Sequence, residues 1–276
     1  MLYILASLRK QFIKFGYDTG MSNIMDIKIK LPTNKNEIDF IYMDNYIQEF
    51  KYQHVKELEI KQDVLLEKYL NVTKFDNYIL TDSEQNIVNI LNNSKIKFKK
   101  FNITGYNGIF NVDNTPGIEK EHIKPNSGVY PYCTAQQGNN SIQTYISYDT
   151  KFLNKGDSIF IGGKTLIITY QKQDYYSNDS HNLKLYLKND KKYSENVYLF
   201  LISALYKSLK PKYVWNASIS KTKIQNDCFK LPINGNDEID FDYMENYISV
   251  IKKLVINDIV KHEDKIMGKT KELVMI

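Results

Sequence analysis

The chain of 276 residues holds a single arginine and only two cysteines, and no apolar run in it reaches the roughly 20 residues that a bilayer-spanning helix needs. Each scarcity excludes something. Cys133 and Cys228 are too few for a disulfide framework or a cysteine zinc site, so a reducing compartment is expected. Because Arg9 is the only arginine, the middle of the chain has no guanidinium fork for guanine and would have to read bases with Lys, Asn, Gln, Ser or Thr. The first residues, "MLYILASLRKQFIKF", place their short apolar run before the basic residues, the reverse of a secretory signal, and the chain is read as soluble and cytoplasmic.

Catalytic patterns are missing too. "IGGK", Ile161 to Lys164, lacks the spacing and the hydroxyl of a phosphate loop. There is no Asn-Pro-Pro loop of the kind that adenine methylation uses. Glu49 and Lys51 form a local "EFK", but inside a helical stripe rather than on a strand edge, where paired carboxylates and a lysine would hold a metal ion. His54, His122, His181 and His262 are scattered without ligand spacing. No catalytic residue, cofactor or metal is expected.

What is there is ample core material and an uneven charge. Hydrophobic residues make up 42% of the chain, with 22 Tyr and 13 Phe, enough for one large or two modest domains. The net charge is +5, yet Lys99 to Pro232 alone holds 18 lysines against 10 acidic residues, leaving the remainder at about −3. A basic middle suits a polyanion, although a solvated face gives the same count.

The most informative feature is a repeat. "IKLPTNKNEIDFIYMDNYI", ending at Ile47, returns as "FKLPINGNDEIDFDYMENYI", ending at Ile248, with one residue inserted within "INGNDE". A period of about two hundred residues punctuates domains rather than building a solenoid. Lys30, Leu31 and Pro32 recur as Lys230, Leu231 and Pro232, and Asp39, Phe40, Tyr42, Met43 and Tyr46 as Asp240, Phe241, Tyr243, Met244 and Tyr247. The likeness reaches upstream: "LYILASL" at 2 to 8 resembles "YLFLISAL" at 198 to 205, and Ile24 and Ile29 align with Ile224 and Phe229. The first 30 residues therefore read as the tail of a globular unit whose front is missing.

After each copy the pattern turns helical. Met43, Ile47, Phe50, His54 or Val55, Leu58 and Leu65 form one stripe, and Met244, Ile248, Ile251, Val255, Ile259 and Ile266 the other, with Asp39 and Asp240 placed to accept from first-turn amides. Two such stripes suggest helices that pair as in an antiparallel coiled coil, or that each cover their own domain. A loop from Tyr69 leads to a shorter helix, where Thr81 and Glu84 form a capping-box pattern ahead of Ile87, Ile90 and Leu91. From Phe98 to Tyr186 short aromatic and β-branched runs predict strands, and Ser194 to Leu209 predicts a helix with Leu199, Ile202, Leu205 and Leu209 buried. The fold class is α+β: a mostly β unit with a packed helix, joined to long spacer helices.

A globular unit, a long helix, a second globular unit and a second long helix resemble the specificity subunit of type I restriction-modification systems. The likeness rests on "FNITGYNGIFNVDNTPGIEKEHI", "SGVYPYCTAQQGNNSIQTYI", "GDSIFIGG" and the ending "LP" before "IDFDYMENYI", in that order. This ending is most similar to B-subunits of systems that combine cleavage and methylation. The resemblance implies double-stranded DNA as ligand, each recognition domain reading one half of a split target, and spacer helices that dock methyltransferase and restriction subunits. It divides the chain into a remnant of a first recognition domain (1 to 32), a helical spacer (33 to 97), a complete recognition domain (98 to 232) and a second spacer (233 to 276). With one complete domain the chain would read one half-site, alone, as a homodimer or with a complementing half-subunit. The candidate base-contacting residues are Gln136, Gln137, Asn139 and Asn140 of "TAQQGNNS", whose amides can pair with adenine, or which form an ordinary Asn/Gly turn. Lys164, where Gly162 and Gly163 either make a strand turn or bare the backbone towards a phosphate, joins them, as do Ser180, His181, Asn216, Ser218 and Lys221. Met43, Ile47, Phe50, Met244, Ile248 and Ile251 are the candidate partner-binding residues, and Trp215 is read as core.

Overall fold

The computed structural model describes residues 1–12, 27–92, 96–189, 191–214 and 216–275. The chain divides into two compact units: a helical one, Met1–Ile79 with Leu254–Ile276, and a strand-rich one, Leu80–Lys253.

The strand-rich unit holds strands β3 (Phe98–Asn102), β4 (Phe110–Asn114), β5 (Tyr130–Cys133), β6 (Ile142–Ile146), β7 (Ser158–Ile161), β8 (Ile168–Gln171), β9 (Tyr176–Ser177), β10 (Leu183–Leu187) and β11 (Cys228–Pro232). They form an antiparallel sheet ordered β4-β10-β7-β8, a sheet ordered β6-β5-β9 and a ribbon β11-β3. Strand β7, "SIFI", is buried along its whole length. Its side chains alternate: Ile159 and Ile161 join the large core, while Phe160 faces a second cluster with Cys133 and Tyr175. Helix α4 (Glu195–Leu209) covers the large core with Val197, Tyr198, Phe200, Leu201, Leu205 and Leu209. Each of these leucines is 0% exposed, and burial of such a side chain stabilises the fold by about 1.5–3 kcal/mol. Leu199 and Ile202, expected on the buried face, are only half-buried, because the sheet meets the 197, 201, 205 face of the helix instead.

The repeat folds the same way twice. In the helical unit a short hairpin, β1 (Thr33–Asn34) with β2 (Glu37–Ile38), turns through Lys35 and Asn36, both at positive φ. In the second copy a bridge between Ile233 and Ile239 closes a turn one residue longer, held by the Asn234 side chain accepting from the Asn236 and Glu238 amides at 2.9 and 3.1 Å. The extra residue lies in the turn, so the flanking positions keep their register. Pro32 accepts from the Asp39 amide at 2.9 Å and Pro232 from the Asp240 amide at 3.0 Å. Both aspartates then cap a long helix, accepting from the amides of Tyr42 and Tyr243 at 2.8 Å. These helices are α2 (Phe40–Thr73) and α5 (Phe241–Met275). The upstream likeness is also structural. Helix α1 (Leu2–Phe12) places Tyr3 edge-on to Tyr46 at 5.3 Å and 81°, as α4 places Phe200 against Tyr247 at 5.4 Å and 82°.

Helix α2 runs four residues past the expected loop start at Tyr69, to Thr73, and stops where Lys74 adopts φ 58° and donates back to Asn71 and Leu70. Helix α3 (Asp82–Asn92) begins with the expected capping box: the Thr81 amide donates to Glu84 at 2.8 Å and the Glu84 amide to the Thr81 hydroxyl at 3.3 Å. The side chains of Ile90 and Leu91, like Ile24 and Trp215, lie outside the described residues.

Neither long helix buries the expected stripe. In α2 only Met43 and Val55 are buried, while Phe50 is 62% exposed. In α5 Val255 and Ile266 are largely exposed, and the buried positions are Met244, Val250 and Ile256. Six residues turn a helix by about 600°, so these three point in three directions. Within the helical unit, Gln62 donates to Asp264 at 2.6 Å and Lys271 pairs with Glu59 at 2.5 Å, which sets α2 antiparallel to the later part of α5. Leu58, Leu65, Ile266 and Met267 line a gap of about 140 Å³ there, so the apolar seam is not closed. Among the described residues no helix is long and apolar enough to cross a membrane.

Candidate nucleic-acid interface

Four polar segments, far apart in sequence, are tied together at one end of the main sheet. The loop after β5 meets the β7–β8 turn where a Cβ on Gly162 would stand 2.7 Å from the Ala135 side chain. A Cβ on Gly163 would stand 2.3 Å from the backbone oxygen of His181. Neither glycine has positive φ, so the requirement at both is space between converging loops. The Gly163 amide donates to the Asn182 side chain at 3.1 Å, and the Gly163 carbonyl accepts from Ile219 at 3.2 Å. The Asn178 amide donates to Cys133 at 3.0 Å, linking the β9–β10 loop to the end of β5.

Under these loops lies a buried polar network. Thr115, Ser177 and Asn182 are at most 2% exposed. Thr115 donates at 2.8 Å to Ser177 and to the Asp179 carbonyl, and Asn182 donates to Ser177 at 3.1 Å and Asn178 at 3.0 Å. Buried polar groups that are all satisfied hold a surface in one arrangement. Burial also pushes the Cys133 thiol up, out of reach of nucleophilic chemistry.

The expected contact residues fare differently. Gln136 and Asn139 both donate to the Ile142 carbonyl, at 3.3 and 2.8 Å, and Asn140 donates to Tyr170 at 2.8 Å. The first two amides close their own loop, and the third ties it to β8. Gln137 is exposed with no side-chain hydrogen bond among the described residues. Lys164 is exposed beside Asp179. Partial burial opposes the charge on Asp179, but the His181 backbone and ring and the Lys164 ammonium hold its carboxyl below the ordinary range. Ser180 and Asn216 are exposed, and Ser218 is half-buried with its carbonyl accepting from Lys223 at 2.8 Å. Lys221 pairs with Asp113 at 2.9 Å, which holds that carboxyl low against the effect of burial. Lys221 is therefore a charge already compensated.

Asn178 and Asn182 lie in the polar segment Ser177 to Asn182 that the sequence offers as a candidate, but Asp113 and Thr115, inside a stretch that carries the family likeness, have no role legible there, because Asp113 meets Lys221 from 108 residues away. Of the candidate partner-binding residues, Met43 and Met244 are buried, Ile47, Ile248 and Ile251 half-buried, and Phe50 exposed. Glu119, Glu121 and His122 bring three potential metal donors within 4.8 Å of one another, all exposed. Exposed acidic groups gather in this way without an ion.

Over 278 residues the chain is 21% identical to the type II restriction enzyme BgcI specificity subunit S.BcgI of Heyndrickxia coagulans, covering 99% of this chain and 69% of that one. Among solved structures it is similar to the type I restriction-modification system S subunit from M. genitalium, at 14% identity, 99% and 69% coverage and a TM-score of 0.41. It is also similar to the HsdS subunit from Thermoanaerobacter tengcongensis, at 10% identity, 99% and 67% coverage and a TM-score of 0.46. The family model for the type I restriction modification DNA specificity domain matches residues 95–261, more than half of the chain. The chain belongs to the type I restriction-modification DNA specificity family, the part of such systems that recognises the DNA sequence.

Proposed function

We propose that the strand-rich unit reads one half of a DNA target through its loop face and brings methyltransferase and restriction subunits to that sequence, without catalysis of its own. The observation that carries this is the loop face itself: Gln137, Lys164, Ser180, His181 and Asn216 reach outward from segments locked by the Thr115, Ser177 and Asn182 network. Residues 98 to 232 act as the recognition domain, and 33 to 97 and 233 to 276 as spacers whose helices close into an antiparallel coiled coil once partner subunits are bound. Gln137 reads a base edge, Lys164 contacts phosphate, and Lys221 holds Asp113 instead of DNA.

Duplex binding tests this directly. As few as three phosphate contacts make affinity fall about 40-fold between 50 and 200 mM salt. Lys164→Ala is expected to weaken all duplexes alike and flatten the salt dependence by about one contact, whereas Gln137→Ala relaxes preference at one position. Exchanging residues 98 to 232 for those of a relative should move the methylated sequence, and an unchanged methylation pattern would sink the reading.

A second reading is favoured by one feature. Helix α2 buries only two of its 34 residues, so the chain would serve as an assembly module whose strand-rich unit no longer reads DNA. It predicts subunit binding with no duplex binding at any salt concentration.

A further inference from the structure

We propose that the strand-rich unit carries a second binding site, which takes an acidic peptide segment with apolar side chains from another protein. The site is a groove of about 800 Å³ lined by β3, α4, β11 and the first turns of α5, all within Leu80–Lys253. It shares no residue with the loop face, so it stands whether or not that face reads DNA.

The floor of the groove is aromatic. Phe200 stands edge-on to Tyr243 at 6.3 Å and to Tyr247 at 5.4 Å, and Phe98 of β3, which lines the same groove, is 50% exposed. Burial pushes the Tyr243 hydroxyl up to about 12, and that hydroxyl has no hydrogen-bond partner among the described residues. It stays a neutral donor with room for an acceptor from an occupant.

The rim is cationic and uncompensated. Lys100 of β3 and Lys230 of β11 are direct register partners, so two ammonium groups leave the same face of the ribbon side by side. Like charges directly opposite destabilise a strand pair. Lys207 joins them from α4. All three are exposed, and none has a side-chain hydrogen bond or ion pair among the described residues. Nearby carboxylates are engaged elsewhere: Asp227 accepts from Lys212 at 2.5 Å and Tyr213 at 2.6 Å, and Asp237 pairs with Lys99 at 3.8 Å.

Ammonium groups on three separate elements suit several carboxylates spaced along a chain. A single small anion would need convergent donors, and the lining has neither an arginine fork nor a glycine loop to supply them. A DNA backbone brings phosphates but no apolar surface to cover Phe98 and the tyrosine rings. A peptide with carboxylates on one side and leucine-like side chains on the other meets rim and floor together.

Cys228 also lines the groove and supplies the readout. Cys133 is 0% exposed and burial keeps its thiol protonated, so a maleimide reports Cys228 in the full chain. The probe is a synthetic peptide of about 12 residues, with leucine at every third or fourth position and glutamate elsewhere. It is expected to bind in fluorescence anisotropy, less tightly as salt rises, and to slow Cys228 modification. Lys100→Glu places opposite charges across the ribbon, so the melting temperature should not fall while peptide affinity drops about tenfold. A lysine with a purely structural role would not give that split. Lys172→Glu, at an exposed site outside the groove, should leave binding unchanged. The proposal is overturned by no binding at about 1 mM peptide, by equal binding after leucine-to-serine exchange in the peptide, or by full affinity in Lys100→Glu. A duplex that shields Cys228 where the peptide does not also overturns it.

Discussion

The two copies of the repeat make one local structure and come to opposite ends. The second feeds a strand and a helix into a closed core, where Met244, Leu231, Leu201 and Leu205 are all 0% exposed. The first builds the same hairpin, cap and ring pair and then leaves Leu5, Phe40 and Tyr46 at least half exposed. The difference teaches that the repeat encodes a connection. Its geometry follows from residues within reach of one another along the chain, while its burial comes from a sheet that, among the described residues, lies beside the second copy alone.

The largest test of this contrast is a pair of truncations. Leu205→Ala removes a fully buried side chain and should cost about 2–5 kcal/mol in denaturant unfolding. Leu8→Ala, its half-buried counterpart in α1, should cost below about 1 kcal/mol. Equal losses would break the comparison. A smaller effect should be shared: Asp39→Ala and Asp240→Ala each remove the same cap and should each cost roughly 1 kcal/mol, measured by helical circular dichroism during unfolding. Smaller again, double-mutant cycles on Tyr3 with Tyr46 and on Phe200 with Tyr247 should give similar couplings of about 0.5–1.5 kcal/mol. A coupling in the second pair alone would mean that the first ring contact is incidental.

The smallest effect separates the units by pH. The Asp179 carboxyl is held low in the folded state, so its contribution is present above the unfolded value near 4 and is lost as pH falls through the lower folded value. Acidification below about pH 4 should therefore release the β9–β10 loop, read as faster amide exchange at His181, and leave exchange unchanged between pH 6 and 8. Asp179→Asn should abolish that acid step.

Much of the fold was legible in the sequence because caps and turns are short-range. Asp39, Asp240, Ser194 and the Thr81–Glu84 box each act on an amide three residues away, and all four make the expected bond. The helical stripes were less legible. A periodic pattern says which residues share a side, but Val255 stays exposed and Ile266 borders the open gap with Leu58 and Leu65. The loop face was legible only as a set of polar segments. That Gln136, Asn139 and Asn140 turn their amides inward depends on the Ile142 carbonyl just past the loop and on the Tyr170 carbonyl of β8, 30 residues from Asn140.

The sequence by itself determined the repeat, the helix starts, the strand-rich middle with its lysines and the family, since each is written in residues near one another or in an ordered set of motifs. The tertiary structure alone decided which polar residues face outward and why Gly162 and Gly163 are glycines. It also decided that two nearly identical segments differ in burial. Burial is a property of what lies opposite, and a sheet contributed from elsewhere in space leaves no mark on the residues it covers or fails to cover.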